Sequence, residues 1–490
     1  MADEAELQPV WIVGFTGHRH LGDLVAVREI VREELERLRH EIDGGIAGYS
    51  SAAIGADTLF AEACQAEGIP WIATLPFSPA DFRKDFNESQ WSYASELLRG
   101  AAEIEICGTA DDRTASYLRC GLKTVDQADL VMAVWDRNPA RGVGGTAEVV
   151  AYARMLNKPL ILIHPERLDV NRESFFPSAF VDPELAFLNR VGGKPAPAMA
   201  KAKNTRESVE RFFCKVDTIA ARIAPRFRRW VAASLLMNLL AAILAAAAIG
   251  FEIHSKLFHF FIGVLVVAAA LAIVWVKRKE AHRKWIRCRV AAEICRSALA
   301  TWDLPVATTP VWFQQFPGFV RLVRTLRILR LESPNDHSSD LPSWRQNYVQ
   351  TRIDHQIDYF GRRSRTMREA LLILASIFWF FSGLAVARAL FVATISMDHL
   401  NPALDRTIES FLPIALPLAA GGAVSLISIL DLHRRRRRFL EMKRRLVAVR
   451  DQIIQSDNFI TLQAGVEKVE DLCAEEVVEW FMLARNPRFQ

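Results

Sequence analysis

Hydrophobic positions along the chain fall into two textures. From Val10 to His164, short apolar runs alternate with amphipathic stretches. The runs are Val10–Gly14, Ile46–Ser50, Trp71–Leu75, Glu103–Cys107, Leu130–Trp135 and Pro159–Ile163. They are often β-branched and bounded by Gly, Pro or Asp, the pattern of strands buried on both faces of a parallel sheet. Helical spacing predicts helices at Leu24–Arg39, Asp57–Glu67, Phe82–Arg99, Arg113–Gln127 and Thr146–Asn157. Such alternation predicts right-handed βαβ units and an α/β doubly wound parallel sheet.

The second texture begins at Trp230. Four runs, Trp230–Phe251, Leu257–Val276, Ala370–Ile395 and Phe411–Leu430, are each long enough for a helix to cross the ~30 Å hydrocarbon layer. Arg222, Arg226, Arg228 and Arg229 precede the first, and Lys277, Arg278, Lys279, Arg283 and Lys284 follow the second. Arg362, Arg363, Arg365 and Arg368 precede the third, and Arg434 to Arg438 follow the fourth. The loops between paired runs hold little positive charge, so the positive-inside rule predicts a four-span, all-α membrane domain with both termini cytoplasmic. The expected address is the inner (plasma) membrane. Met1–Glu6 lacks the basic and apolar regions of a signal peptide.

Charge and cysteine usage refine this picture. The net charge of +5 over 490 residues is compatible with nucleic acid. Its basic clusters lie at membrane edges, however, where anionic headgroups are the natural partner, so no nucleic acid is expected. The seven cysteines have no metal-ligand spacing, no metal site is expected, and all fit a reducing compartment. No Gly-Lys-Ser/Thr phosphate loop, His-Glu-x-x-His or Gly-x-Ser-x-Gly pattern occurs.

Candidate chemistry gathers where strands would end, the place where doubly wound sheets hold ligands. The first strand leads into Gly14, Thr16, Gly17, His18 and Arg19. Glycine admits close backbone approach, while Thr16 and Arg19 suit phosphate oxygens. The second strand leads through Ser51 and Gly55 to Asp57 at a helix N-terminus, a natural anion site. The fifth leads through Asp136 and Arg141 to Gly144, Gly145, Thr146 and Glu148, with Asp136 or Glu148 available for ribose hydroxyls. Leu75-Pro76-Phe77 offers an apolar wall for a base. Each element also has a plainer explanation: a tight turn, a helix cap at Asp57, a surface histidine at His18, a packing residue at Trp135. Their convergence at one sheet edge favours a nucleotide-like ligand, with no other cofactor expected.

These motifs over about residues 9–165 resemble the SLOG superfamily, which includes LOG and DprA-like domains. Gly14–Arg19, Gly55-Ala-Asp57 and Gly144-Gly145-Thr146 carry the likeness. The resemblance implies a Rossmann-like fold that binds nucleotides or nucleotide-derived signals. LOG enzymes cleave the base–ribose bond, with the signature Pro-Gly-Gly-x-Gly-Thr-x-x-Glu. Here Val149 stands at the glutamate position and Glu148 lies one residue earlier, a rotation of about 100° on a helix. That departure favours sensing over hydrolysis, and leaves Glu148 and Asp136 as the only catalytic candidates.

The remaining pattern divides the chain as 1–200, the sheet domain; 201–229, an amphipathic linker helix; 230–276 and 369–430, two transmembrane hairpins; 277–368, a cytoplasmic helical segment; and 431–490, a C-terminal cytoplasmic helix. Asn204 and Glu207 predict a capping box at the linker helix. In the fourth span Pro413, Pro417, Gly421 and Ser425 share a face suited either to a gate or to tight packing. Asn238 is expected to hydrogen-bond a neighbouring helix and Arg388 to snorkel. The stretches Trp285–Arg296, Tyr348–Tyr359 and Glu470–Trp480 resemble SLATT-type membrane modules, which usually contain one hairpin. The combined resemblance implies a homo-oligomeric, membrane-disrupting effector controlled by a nucleotide signal in bacterial defence. A membrane-anchored nucleotide hydrolase and a scaffold without a ligand are the other readings.

Overall fold

The computed structural model describes residues 6–139, 144–177, 180–192, 205–278, 281–304, 313, 318–333, 341–394 and 401–485. They form two compact units: residues up to Lys215 with Ile294–His337, and Val216–Glu293 with Ser338 onward. The predicted 277–368 segment is thus divided between them.

In the first unit the strands are β1 (Val10–Gly17), β2 (Gly45–Ser50), β3 (Trp71–Leu75), β4 (Glu103–Ile106), β5 (Leu130–Val134), β6 (Leu160–Ile163) and β7 (Val170–Glu173). Their order is β4-β3-β2-β1-β5-β6-β7. The first six are parallel, as predicted, and β7 adds an antiparallel edge absent from the expectation. Strand order reverses between β1 and β5, where Thr16 pairs with Ala133 and Gly17 with Val134. The helices α1 (Leu24–Glu41), α2 (Ala56–Ala66), α3 (Glu88–Arg99), α4 (Arg113–Gln127), α5 (Thr146–Met155) and α6 (Pro183–Arg190) complete the α/β pattern. The stretch expected as one helix from Phe82 breaks at Phe86, and α3 starts on an Asn87–Gln90 capping box.

Both sheet faces are buried, which accounts for the near-continuous apolar strands. Trp11, Val13 and Phe15 join Leu130, Met132 and Val134 in a core with α1, α2 and α3. Val131 and Ala133 face Val149, Val150 and Ala153 of α5 on the other side. There Val10, Ile12, Ala47, Tyr49 and Ile72 are covered from far along the chain, by Ile328 and Leu331. These two belong to a helix at Val320–Glu332 that was not predicted. Thr325 Oγ1 accepts the Val10 amide at 3.0 Å, and Arg321 Nη2 donates to Asp129 Oδ1 at 2.7 Å. Arg327 Nη2 reaches Glu103 Oε2 at 2.7 Å, and Arg321 lies 3.8 Å over the Trp11 ring.

The predicted linker helix and first span are one helix, α7 (Arg206–Gly250). Its start is capped reciprocally by Thr205 and Ser208, each side chain accepting the other's amide, at 3.3 and 2.8 Å. Asn204, the predicted cap, lies outside the described residues. The second unit continues with α8 (Lys256–Arg278) and α9 (Ala281–Ala300), the latter reaching back into the first unit. Past the Val320–Glu332 helix, α10, come α11 (Leu341–Tyr348), α12 (His355–Thr394), α13 (Leu412–Ile429), α14 (Leu432–Ile454) and α15 (Phe459–Arg485).

Among the described residues three helical stretches, Trp230–Gly250, Leu341–Thr394 and Ala403–Ile454, are long and apolar enough to cross a membrane. The expected second span is helical too, but its described apolar part, Lys256–Ala272, is shorter. Only 6% of the most apolar window in the Leu341–Thr394 stretch is buried within the protein, so lipid is its natural cover. Small residues line the hairpin seam: Ala241, Ala246, Ala269 and Ala272 are buried, and Ser234 Oγ donates to Ala269 O at 2.9 Å. In α13 the packed face is Ala415, Leu416, Ala420 and Ala423. Pro417 and Gly421 are exposed, so the predicted proline–glycine face is not a packing seam. Asn238 is exposed, contrary to the expected interhelical bond, and Arg388 Nε donates to Ile408 O at 2.7 Å.

Three separate stretches of this unit meet in one buried ionic cluster. Arg352 Nη2 pairs with Glu293 Oε1 at 3.0 Å and with Glu470 Oε2 at 2.5 Å. Its Nε donates to Glu470 Oε1 at 2.9 Å, and Tyr348 Oη donates to the same oxygen at 2.7 Å. Arg352 sits in a wider, π-helical turn, Val349–Asp354, between α11 and α12. All four side chains are nearly inaccessible to water.

Candidate functional site

The strand-order reversal opens a cleft at the carboxyl ends of β1 and β5. A cavity of about 660 Å³ occupies it, lined by Thr16, Gly17, His18, Arg19, Ser51, Asp57, Asp136, Gly144, Gly145 and Thr146 among others. Nine of the twelve predicted ligand-site residues therefore share one cavity, together with Asp136. A second cavity of about 670 Å³ lies at the amino edge of the sheet, away from the strand ends where such folds bind ligands.

Backbone geometry explains how the loops converge. The His18 amide donates to Val134 O at 3.2 Å, and the Ala56 amide donates to His18 O at 3.0 Å, stitching the first turn to β5 and α2. Gly17 is pressed so closely that a Cβ would stand 2.3 Å from Ala56 Cβ. Gly55 adopts a φ of 99°, and a Cβ there would meet the His18 and Arg19 carbonyl oxygens at 2.5 Å. Gly55 thus shapes the site without lining it. Gly14 lies within β1 and packs against Ala128 of the segment after α4.

Two helices begin at the cavity on glycines. α2 follows Gly55 and α5 follows Gly145, and neither N-terminus has a side-chain cap. Uncapped amides at a helix start attract anions. Two buried polar atoms of the lining, Ser51 Oγ and Asp57 Oδ1, also lack any hydrogen-bond partner among the described residues. Burial pushes the Asp57 carboxyl well above the usual carboxylate range, against the opposing pull of Arg19 and the Ala53 and Gly17 amides. A buried carboxyl with one oxygen unpaired at a cleft, and a displaced pKa, is a functional-site signature.

At the rim, His18 Nε2 stands 3.1 Å from the Asp136 amide and 3.0 Å from Asp136 Oδ1. The neutral ring accepts from the amide, and the charged ring donates to the carboxylate. Burial opposes ionisation of Asp136, but hydrogen bonds from Asn138 and His18 bring it down to about 2. Glu148 does not line the cavity: its Oε2 accepts the Gly144 amide at 2.6 Å and holds its own turn. Phe77, the expected base wall, is fully buried against Phe82 and Tyr117. Arg141 and Gly142 lie outside the described residues.

Sequence reasoning missed the α4 side of the cavity. Thr114, Tyr117, Cys120, Gly121 and Thr124 line it. Arg19 lies 5.2 Å over the Tyr117 ring, and Tyr117 Oη donates to Asp85 Oδ2 at 2.6 Å. Thr114, Tyr117, Gly121 and Thr124 recur every three or four positions, the signal of one helix face. Among the described residues no cluster of His, Cys, Asp and Glu could hold a metal ion.

Residues 211–318 match the family model described as "SMODS and SLOG-associating 2TM effector domain 3". The match spans α7 from Arg211, all of α8 and α9, and includes Trp285–Arg296; Tyr348–Tyr359 and Glu470–Trp480 lie beyond it. It places the similarity to a two-span module on the first hairpin. No curated protein gives a significant match. This part of the chain is thus similar to a transmembrane effector family, on a protein whose other half is a Rossmann-like sheet domain.

Proposed function

We propose that the sheet domain binds a nucleotide or nucleotide-derived signal in the β1/β5 cavity, and that this occupancy gates the membrane module of a homo-oligomeric effector in bacterial defence. The observation that carries this reading is the coincidence, at one switch-point cavity, of two uncapped helix N-termini, Arg19, and the unpartnered Ser51 Oγ and Asp57 Oδ1. The helix starts and Arg19 suit a phosphate, and Ser51, Asp57 and Asp136 suit hydroxyls or a base edge. On this reading all four apolar runs span the inner membrane and both termini face the cytoplasm. The effector-family similarity on residues 211–318 supports the output side.

Sensing is favoured over hydrolysis by two side chains. Glu148 is engaged by its own turn, and the lowered pKa of Asp136 makes it a poor proton donor near neutrality. Gating requires that the ligand prefer the open state, since equal affinity for both states shifts nothing. Purified protein in liposomes loaded with a self-quenching dye tests this. Nucleotide-dependent leakage, absent with Arg19→Ala, is expected. Binding without leakage across a nucleotide panel would refute the gating step.

A further inference from the structure

We propose that Cys107 and Cys120 form a redox-responsive dithiol in the wall of the cavity, closing to a disulfide when a peroxide oxidises Cys107. Neither residue belongs to the ligand-binding chemistry proposed above, so this inference stands apart from the identity of the ligand.

The geometry rests on three elements that meet at Thr74. Cys107 directly follows β4, and its amide donates to Leu75 O of β3 at 2.8 Å. Its Sγ lies 2.9 Å from Thr74 Oγ1. From α4, Cys120 Sγ reaches Thr74 O at 3.2 Å and the same Thr74 hydroxyl at 3.8 Å. Both thiols thus meet at the one Thr74 hydroxyl. Cys107 is half-buried and open to a small oxidant, whereas Cys120 is buried and lines the cavity. Lys123, one turn beyond Cys120 on α4, brings a positive charge near Cys107. The thiols therefore have unequal roles. The Cys120 hydrogen bond, with help from Thr74 and Lys123, draws Cys107 down to about 6 against its burial, and Cys120 is pushed up. Cys107 is the thiolate and Cys120 the resolving thiol, the arrangement of a redox-sensor pair.

The chemistry balances with hydrogen peroxide as the two-electron oxidant. The Cys107 thiolate attacks one peroxide oxygen, the O–O bond breaks, hydroxide leaves, and Cys107 becomes a sulfenic acid. Cys120 sulfur then attacks Cys107 sulfur, the S–O bond breaks, and water leaves with the Cys120 proton. Closure ties α4 to the end of β4 and removes the Cys120 thiol from the cavity wall. A thiol reductant restores both cysteines.

The test uses the full chain in detergent, treated with hydrogen peroxide, quenched with N-ethylmaleimide and mapped by non-reducing peptide mass spectrometry. The expected product is a peptide pair joined through Cys107 and Cys120, lighter by two hydrogens and lost on reduction. Cys120→Ser should abolish the cross-link and trap the sulfenic acid, read as a dimedone adduct on Cys107. Recovery of both residues as maleimide adducts would overturn the proposal. So would cross-linking of either only to another cysteine such as exposed Cys214. Because wild-type mapping decides alone, misfolding of a variant leaves the result intact. A melting shift with AMP on oxidised and reduced protein then reads the cavity. No shift in either form would count against nucleotide binding and leave the thiol pair untouched.

Discussion

Two buried carboxylates, one in each unit, have opposite fates. In the helical unit both oxygens of Glu470 are engaged, by Arg352 and Tyr348, and Arg352 also holds Glu293. In the sheet unit Asp57 keeps an oxygen without a partner, beside an equally unpartnered Ser51 hydroxyl, at the wall of an open cavity. Burying a polar group without a partner costs about 1–3 kcal/mol. On the proposed function, a fold that satisfies one buried carboxylate and leaves the other short separates framework from recognition. The Arg352 cluster joins three helical stretches, and on the proposed function the Asp57 site is left for the ligand to complete. Even the cluster is not fully saturated, because Arg352 Nη1 has no partner among the described residues.

Substitutions on both sides sharpen that contrast. The largest effect is expected for Glu470→Gln, which leaves Arg352 buried with Glu293 alone. Breaking such a pair costs about 3–5 kcal/mol, seen as a lower melting temperature of the detergent-solubilised chain. Replacing the pair together, Arg352→Met with Glu470→Leu, should recover much of the loss. If the single variant melts like wild type, the cluster is not framework.

Next in size is Asp129→Ala, which strands the Ile12 amide and Arg321 and loosens the α10 helix from the sheet. About 1–3 kcal/mol of destabilisation is expected, with faster amide exchange at Val320–Glu332. Unchanged exchange there would mean that apolar packing through Ile328 suffices.

A smaller effect comes from pH. The Asp57 carboxyl is raised in the folded state, so between its unfolded value near 4 and the higher folded value the native protein binds more protons. Stability attributable to Asp57 therefore falls as pH rises through that window, and levels off above it. Asp57→Asn should remove this decline and melt higher than wild type at neutral pH without ligand. A variant that melts lower there would identify Asp57 as framework after all. Smallest is Arg19→Ala: the side chain is exposed, so the unliganded melt should move by no more than about 0.5 kcal/mol while nucleotide-induced stabilisation disappears.

Most of the sheet was legible because strands buried on both faces write themselves as apolar blocks, and βα turns at their ends write themselves in glycine and hydroxyl residues. The edge strand β7 was not, since Val170-Asn-Arg-Glu173 is short and half-exposed and carries no apolar block. The α10 helix was missed because prolines flank it and arginines at 321, 324, 327 and 330 resemble a solvated face. Arg321, Arg324 and Arg327 instead answer Asp129, Glu103 and Glu105 on the sheet, and Arg330 donates to the Trp302 and Leu304 carbonyls, pairings visible only once the fold joins distant positions. For the site, sequence motifs found the loops but not α4, whose lining residues are spaced as an ordinary amphipathic helix. Glu148 and Gly14 illustrate the converse: both sit within suggestive motifs, yet one holds a turn and the other packs on Ala128.

Titration calorimetry of the full-length protein in detergent, with a panel of nucleoside mono-, di- and triphosphates and cyclic nucleotides, tests the central claim most directly. The account predicts saturable binding of at least one of them, weakened at least tenfold by Arg19→Ala, as expected for losing a charged hydrogen bond of about 1.5–3 kcal/mol. Binding that is equally tight in Arg19→Ala, or no binding by any member of the panel, would contradict it.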